Sequence, residues 1–179
     1  MAKKNKIGNN SSNQEIIDYI LNISSYEAII DVEVNSNKSI NKYKIKQKYI
    51  EPDKIEQEIL EPKNIEGIKI IKKGNELKLE NSKLNLSKIY NNYDCMTDNC
   101  LDLNTFIEEY KFDEKSLYEE KDGQIVMEAR SNKNNNHIQY KNLYIDKETA
   151  KPIKMEVKDT SKKTTVYILY NEVKLNNKK

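Results

Sequence analysis

Few residues in this sequence have the types and spacing that acid–base catalysis requires. Histidine is the side chain that most often titrates near neutral pH, and the chain contains one, His137, beside an asparagine-rich turn. Glu56 and Glu58 share one face of a predicted strand, and Glu108 and Glu109 are adjacent on a predicted helix. A catalytic site needs titrating groups that converge on one point. We therefore expect an exposed loop histidine, a carboxylate ladder on the sheet surface and a solvent-facing position for Glu108 and Glu109.

The two cysteines, Cys95 and Cys100, have four residues between them. A zinc site would need two further Cys or His ligands nearby, and a thioredoxin-type motif has two intervening residues. The pair is either a small local disulfide or two reduced thiols, and two cysteines with no others favour the disulfide in an exported protein. The four glycines occur singly and no nucleophile-elbow motif is present. We therefore predict that the chain binds no metal ion and no cofactor and that it is not an enzyme.

Tyrosine is unusually frequent, with twelve residues against two phenylalanines and no tryptophan. Tyrosine is amphipathic and suits both strand surfaces and half-exposed interfaces. We expect most of these residues to serve as strand formers. Aromatic residues around the predicted middle helix form the candidate partner or ligand surface, and they are Tyr90, Tyr93, Phe106, Tyr110 and Phe112.

Charges of both signs alternate along the chain and give a net charge of +2. Arg130 is the only arginine, whereas a nucleic-acid-binding protein is expected to carry a segregated basic face. We therefore predict no nucleic-acid partner. A membrane-spanning helix needs about 18 consecutive apolar residues, and the sequence has no such run. The polar stretch Met1–Lys6 also lacks the apolar core of a secretory signal.

Apolar periodicity predicts a β-rich first half. Residues 12–15 have the pattern of a capping box and begin a helix that extends to about Ile23. The apolar spacing then changes to two residues, which predicts a strand from Tyr26 to Val34 with acidic residues on its opposite face. Lysines alternate in the next strand, and pairing of the two strands would set acids against lysines. Further strands are predicted at 55–60, 68–71, 76–79 and 84–86.

Residues 90–112 interrupt this pattern. A helix is predicted from Leu101 to Tyr110, with Asp102 or Asn104 as its cap. Strands return at 117–121, 124–130, 137–145, 153–158 and 164–170. We expect a disordered leader at 1–11, a single domain at 12–171 and a polar C-terminal tail at 172–179. The predicted fold class is α+β, mostly antiparallel β.

Two segments resemble the LolA/LolB-like lipoprotein-carrier superfamily. In Lys46–Glu58 a strand ends at Pro52 and the next begins at once, and in Ile68–Leu77 a strand meets a turn that contains Gly74. The superfamily fold is a curved, open antiparallel half-barrel with helices on its concave side, which agrees with the predicted order of elements. The Lys, Asn and Ile bias and the insertion that contains Cys95 and Cys100 are similar to GerS-type germination lipoproteins of clostridia.

The resemblance implies a non-catalytic, exported lipoprotein of the forespore or spore envelope. Its implied role in germination is to bind and activate a spore-cortex N-acetylmuramoyl-L-alanine amidase, and a homodimer formed by edge-strand exchange is a further expectation. Membrane contact would occur only through a lipid anchor, and the signal and anchor cysteine would lie outside this sequence. The alternative is a lipid or lipoprotein carrier with an acyl-chain cavity. Carriers commonly have a basic residue where Glu51 precedes Pro52, and they use tryptophan, which this chain lacks.

Overall fold

The structure is a computed structural model that describes residues 7–8, 10–36, 38–92, 101–131 and 136–177. In these residues it contains two helices and eleven strands. The helices are α1 (Asn13–Leu21) and α2 (Leu103–Phe112). The strands are β1 (Ile23–Asn35), β2 (Ile40–Ile50), β3 (Lys54–Glu61), β4 (Ile68–Lys73), β5 (Glu76–Asn81), β6 (Leu86–Tyr90), β7 (Leu117–Lys121), β8 (Gln124–Arg130), β9 (Tyr140–Asp146), β10 (Lys151–Lys158) and β11 (Thr164–Asn177).

All eleven described strands lie in one sheet, in the order β6-β5-β4-β3-β2-β1-β11-β10-β9-β8-β7. Every neighbouring pair is antiparallel. The two longest strands, β1 and β11, pair at the centre, and each half of the sheet is a meander. The chain passes from one sheet edge to the other between β6 and β7, and α2 lies on this connection. Because β6 and β7 do not pair, the sheet is open, and the predicted fold class is confirmed.

Helix α1 begins with the predicted capping box. The Glu15 amide donates to Ser12 Oγ at 3.2 Å, and the Ser12 amide donates to Glu15 Oε2 at 2.7 Å. These bonds satisfy two amides that a helix start leaves without partners. The helix ends at Leu21, and Ile23, which was expected at the end of the helix, is instead the first residue of β1.

Helix α2 begins at Leu103 rather than at the predicted Leu101, and of the two predicted caps, Asp102 is the one observed. Asp102 Oδ1 accepts from the Thr105 amide at 2.9 Å, and Asp102 Oδ2 accepts from Thr105 Oγ1 at 2.7 Å. The Leu103 amide donates to Tyr26 Oη at 3.2 Å. Because Tyr26 lies on β1, this bond ties the start of the helix to the centre of the sheet.

The core lies between the two helices and one face of the central strands, which we call the inner face. Ile16, Ile17 and Ile20 of α1 are buried there, together with Leu103 and Phe106 of α2. The sheet contributes inner-face residues of β1 and of β8 to β11. Among the described residues of the other half, Tyr49 and Ile55 are the two buried members of this cluster. The helices therefore pack over one half of the sheet and its centre.

The acid–lysine pairing predicted for the sheet surface is present. Glu27, Asp31 and Glu33 of β1 stand opposite lysines of β2, and Glu33 pairs with Lys42 at 3.1 Å. On the other side of β2, Lys44 pairs with Glu61 of β3 at 3.3 Å. A row of lysines is thus flanked by carboxylates on both sides. Exposed pairs of this kind contribute roughly 0.2–1 kcal/mol each.

Several predicted boundaries differ from the observed ones. Strand β11 continues past Tyr170 to Asn177, through most of the expected polar tail, because Val173 and Leu175 alternate with polar residues and pair with Ala28 and Tyr26 of β1. Strand β9 begins at Tyr140 rather than His137, and β10 begins at Lys151 rather than Ile153. At the expected leader, Gly8 is buried against the backbone of Glu148.

Candidate interaction surface

Strands β4 to β6 extend beyond the part of the sheet that the helices cover, and we call this region the wing (residues 68–90). Among the described residues, neither the buried core cluster nor the apolar residues packed against it includes any wing residue. Leu77 is the one wing residue that is buried, and the others are half-buried or exposed. The wing is therefore a sheet without a covering layer of described residues.

A continuous row of cross-strand neighbours links the core to the wing. Tyr26 stands opposite Tyr49, Tyr49 opposite Ile55, and Ile55 opposite Lys72. The row continues through Leu77 to Tyr90 at the sheet edge. Directly opposed residues share a sheet face, so this row lies on the inner face. That face of the wing carries Ile68, Ile70, Lys72, Leu77, Leu79, Asn81, Leu86, Lys88 and Tyr90.

Strand β6 is the edge of the wing, and all five of its residues are exposed. Leu86 is 63% exposed and Tyr90 is 37% exposed on the inner face, and Ile89 is exposed on the outer face. Leu84, in the turn before β6, is also exposed. In natural proteins, charged residues, β-bulges or covering elements usually prevent an edge strand from pairing with another chain. Since β6 has one charged residue and exposed apolar groups on both faces, it is a surface suited to contact another molecule.

The opposite edge of the sheet, strand β7, carries charged residues that disfavour pairing with another strand. Strand β7 carries Glu119, Glu120 and Lys121, and Glu120 is tethered by two neighbours. Lys147 Nζ lies 2.8 Å from Glu120 Oε1, and Asn13 Nδ2 donates to Glu120 Oε2 at 2.8 Å. Charge and tethering make β7 a poor template for another strand.

Of the aromatic residues predicted to form a partner or ligand surface, some are exposed and others are buried. Phe106 is fully buried in the core, and Tyr110 packs against it with ring centroids 6.0 Å apart. Phe112 is 79% exposed at the end of α2, whose main sheet contacts are with β8. Tyr90 was expected in an irregular segment but ends β6, so it lies on a different element from Phe112. Tyr93, Cys95 and Cys100 lie outside the described residues.

One buried polar contact was missed by the sequence analysis. Glu109, expected to face solvent, is 4% exposed, and its Oε2 lies 2.6 Å from Nζ of Lys141, which is 0% exposed. Ser131 Oγ donates to Glu109 Oε1 at 3.0 Å. Lys141 stands opposite Ala129 and Val157 on the inner face. The signal was available, because Lys141 shares the parity of Leu143 and Ile145 on β9 and must point into the core with them.

Two of the carboxylates considered for catalysis, Glu56 and Glu58, are engaged in ion pairs. Glu56 Oε1 lies 2.6 Å from Lys54 Nζ, and Glu58 Oε2 lies 3.8 Å from Lys69 Nζ. The hydrogen bond from Lys54 lowers the pKa of the Glu56 carboxyl below its usual range. A general acid needs a raised carboxyl pKa, so this environment is the opposite of the one required. These residues form the expected surface ladder. His137 lies in the turn before β9, and its carbonyl accepts from Thr165 Oγ1 at 2.8 Å.

Buried tyrosines near the start of α2 make stability depend on alkaline pH. Burial raises the pKa of Tyr49 to about 12, and the nearby Glu51 carboxylate adds to this effect. Burial also raises the pKa of Tyr26 and of Tyr170. A phenol whose folded pKa is raised stabilises the fold fully below its unfolded pKa of about 10, and this contribution is lost as the pH rises through the folded value.

We therefore expect the free energy of unfolding to fall as the pH rises from about 10 to 12. Urea unfolding at a series of pH values measures this dependence. In Tyr49→Phe, which has no phenol to ionise at this position, the decline should be shallower than in the wild type. An equally steep decline in both proteins would contradict the assignment to Tyr49.

Comparisons with known proteins agree with this architecture. A family model described as "Sporulation protein YdcC-like" matches residues 3–179. The GerS lipoprotein structure solved in complex with the CwlD amidase from Clostridioides difficile is 24% identical, with a TM-score of 0.58 over 96% of this chain and 98% of that chain. An uncharacterized conserved protein from Thermus thermophilus is 16% identical, with a TM-score of 0.57 over 94% of this chain and 90% of that one.

A putative outer membrane lipoprotein-sorting protein domain from Vibrio parahaemolyticus is 14% identical, with a TM-score of 0.50 over 91% of this chain and 90% of that chain. These likenesses confirm the predicted lipoprotein-carrier fold. No curated protein sequence is significantly similar to the chain. As for membrane insertion, neither α1 nor α2, the helices of the described residues, has the length and apolar character that a bilayer crossing requires.

Proposed function

The chain belongs to the YdcC-like family of sporulation proteins, and from this premise we propose that it is a non-catalytic, exported lipoprotein needed for spore germination. In this proposal it binds a spore-cortex N-acetylmuramoyl-L-alanine amidase and activates it, so that cortex peptidoglycan is modified. It acts outside the cytoplasm, in the forespore or spore envelope, where a lipid anchor holds it to the membrane.

The observation that carries the proposal is the likeness to GerS, which was solved as a complex with an amidase. The match extends over almost the whole of both chains, so the comparison concerns the complete domain rather than a shared fragment. Membership in a sporulation family supports the same biological setting. The chain-specific support is the wing, whose edge strand β6 exposes Leu86, Ile89 and Tyr90 away from the central core.

Activation by binding requires no reactive group on this chain. A partner that binds the active conformation of an enzyme more tightly than the inactive one shifts the equilibrium toward the active form. Each tenfold preference corresponds to about 1.4 kcal/mol. Glu56, Glu58 and Glu109 are all held by lysines, which supports a binding role over a hydrolytic one.

Affinity capture from sporulating cells tests this proposal. The chain, coupled to a resin through an added C-terminal tag, is expected to retain a cell-wall amidase that mass spectrometry identifies. A β-rich domain of similar net charge serves as the control resin. If no amidase is enriched over the control at any stage of sporulation, the proposed partner is wrong.

A second candidate function is the carriage of a lipid or lipoprotein. The observation that favours it is the half-buried apolar inner face of the wing, which acyl chains could cover. Against it, the space between the helices and the central strands is filled by side chains such as Ile16, Ile20 and Phe106. Mass spectrometry of protein purified without detergent distinguishes the two, because a carrier retains lipid and an amidase partner does not.

A further inference from the structure

The outward edge of β6 has no strand neighbour among the described residues. A strand at a sheet edge exposes amides and carbonyls in a row and can template a further strand. An extended peptide that adds to such an edge gains affinity from backbone bonds and specificity from alternate side chains. The backbone of β6 therefore offers a mode of binding that requires no cavity.

The side chains of β6 define what the added strand must carry. On the inner face the order is Leu86, Lys88, Tyr90, so one cation stands between two apolar groups. Lys88 forms no ion pair with a described acidic residue, and its Nζ lies 4.7 Å from the centroid of the Tyr90 ring. Lys72 is the other charged residue on the inner face of the wing, and it is also a cation. This face lacks the interleaved acids that neutralise the lysines of β2.

Cross-strand charge favours a different chain over a second copy of this one. If two copies of β6 paired antiparallel with all five residues matched, the two Lys88 side chains would stand directly opposite each other, which is destabilising. Pairing of β6 with β7 of another copy, with all five residues matched, would set Lys88 opposite Glu119, next to Glu120, which Lys147 and Asn13 already hold. That pairing would also propagate head to tail without closing.

We propose that β6 accepts an extended segment of a partner protein as an additional strand, and that this segment carries an acidic side chain opposite Lys88 with an apolar side chain on each side of it. The partner's identity rests on the proposed function, whereas the chemistry of the segment follows from β6 itself. Ile89 on the outer face adds a preference for an apolar residue opposite it.

Synthetic peptides test the proposal without the amidase, so its outcome is independent of the capture experiment. One fluorescent ten-residue peptide alternates apolar residues around a central glutamate, and its twin has lysine instead. Binding to the full chain is measured by fluorescence anisotropy at low salt. The glutamate peptide should bind about fivefold more tightly than its twin, and Lys88→Glu should reverse the order.

Two controls distinguish strand addition from non-specific electrostatic attraction between the peptide and the chain. Lys73→Glu makes the same charge change on the outer face of the wing and should leave the ratio between the peptides unchanged. Two further versions of the glutamate peptide carry N-methyl groups on either the odd or the even amides. Because alternate amides of a strand point to opposite sides, one version should lose at least tenfold in affinity and the other should retain it.

Equal binding of the glutamate and lysine peptides would overturn the proposal, and so would equal loss in Lys73→Glu and Lys88→Glu. Equal tolerance of both N-methylation patterns would exclude strand addition. A stable dimer of the chain alone, with β6 amides protected from hydrogen exchange in the dimer, would assign the edge to a second copy instead.

Discussion

Glu109→Ala should lower the free energy of unfolding by about 3–5 kcal/mol, because it leaves the Lys141 ammonium buried without its carboxylate. Both side chains are almost completely shielded from water, and the Nζ–Oε2 distance is 2.6 Å. A loss of this size is a large part of the stability of a domain of this length. Urea or guanidinium unfolding followed by circular dichroism measures it.

The double variant Glu109→Leu, Lys141→Met is the informative companion. Replacement of both charges by apolar groups of similar volume removes the burial penalty together with the attraction, so this variant should be much more stable than Glu109→Ala. The exposed pair Lys44–Glu61 provides a matched control, since Lys44→Ala should cost roughly 0.2–1 kcal/mol. If Glu109→Ala cost no more than this control, the pair would not be the buried contact described here.

Leu86→Asp combined with Tyr90→Asp should weaken binding of the chain to the proposed amidase partner by about 100-fold or more. Aromatic and apolar anchors at the centre of an interface can each contribute 2 kcal/mol or more to the binding free energy. The double variant also places two carboxylates where the wild type makes apolar contacts, which weakens binding further. Both residues are exposed, so the fold should persist. Binding is measured by biolayer interferometry with immobilised amidase.

The other sheet edge supplies the control for this experiment. Leu117 and Tyr118 of β7 are likewise an exposed leucine and tyrosine, and Leu117→Asp combined with Tyr118→Asp makes the same change in composition and charge. This variant should bind the amidase with wild-type affinity. Comparable loss in both variants would show that the effect is one of net charge, and a loss confined to the β7 variant would place the interface at the opposite edge.

Local patterns were sufficient to predict most of the fold. The capping box at Ser12, the cap at Asp102 and the acid–lysine register of β1 and β2 all depend on neighbours in sequence or on period-two alternation, and these were confirmed. The end of β11 was placed too early, although the alternation of Val173 and Leu175 carried the signal. The segment was predicted to be a tail because most of its residues are polar. The alternation of two apolar residues is a weak signal by itself, and the segment is a strand because it pairs with β1.

The candidate surface could be predicted only in part, because exposure depends on which strands the helices cover. Phe106 has the same aromatic character as Phe112, yet one fills the core and the other faces solvent. The burial of Glu109 depends on Lys141, which is distant in sequence and reaches it only through the packing of α2 on the sheet. Strand periodicity predicts that Lys141 points into the core, but it does not predict that Glu109 is its partner. The exposure of β6 likewise follows from the order of strands in the sheet rather than from its five residues.

A titration of amidase activity with this chain tests the central claim most directly. Release of stem peptides from purified cortex peptidoglycan is followed at fixed amidase concentration while the chain is added. We expect the rate to rise with added chain and to saturate, and we expect no release by the chain without amidase. A rate that is unchanged at saturating chain concentration, or peptide release by the chain alone, would contradict the claim that it acts on the amidase by contact.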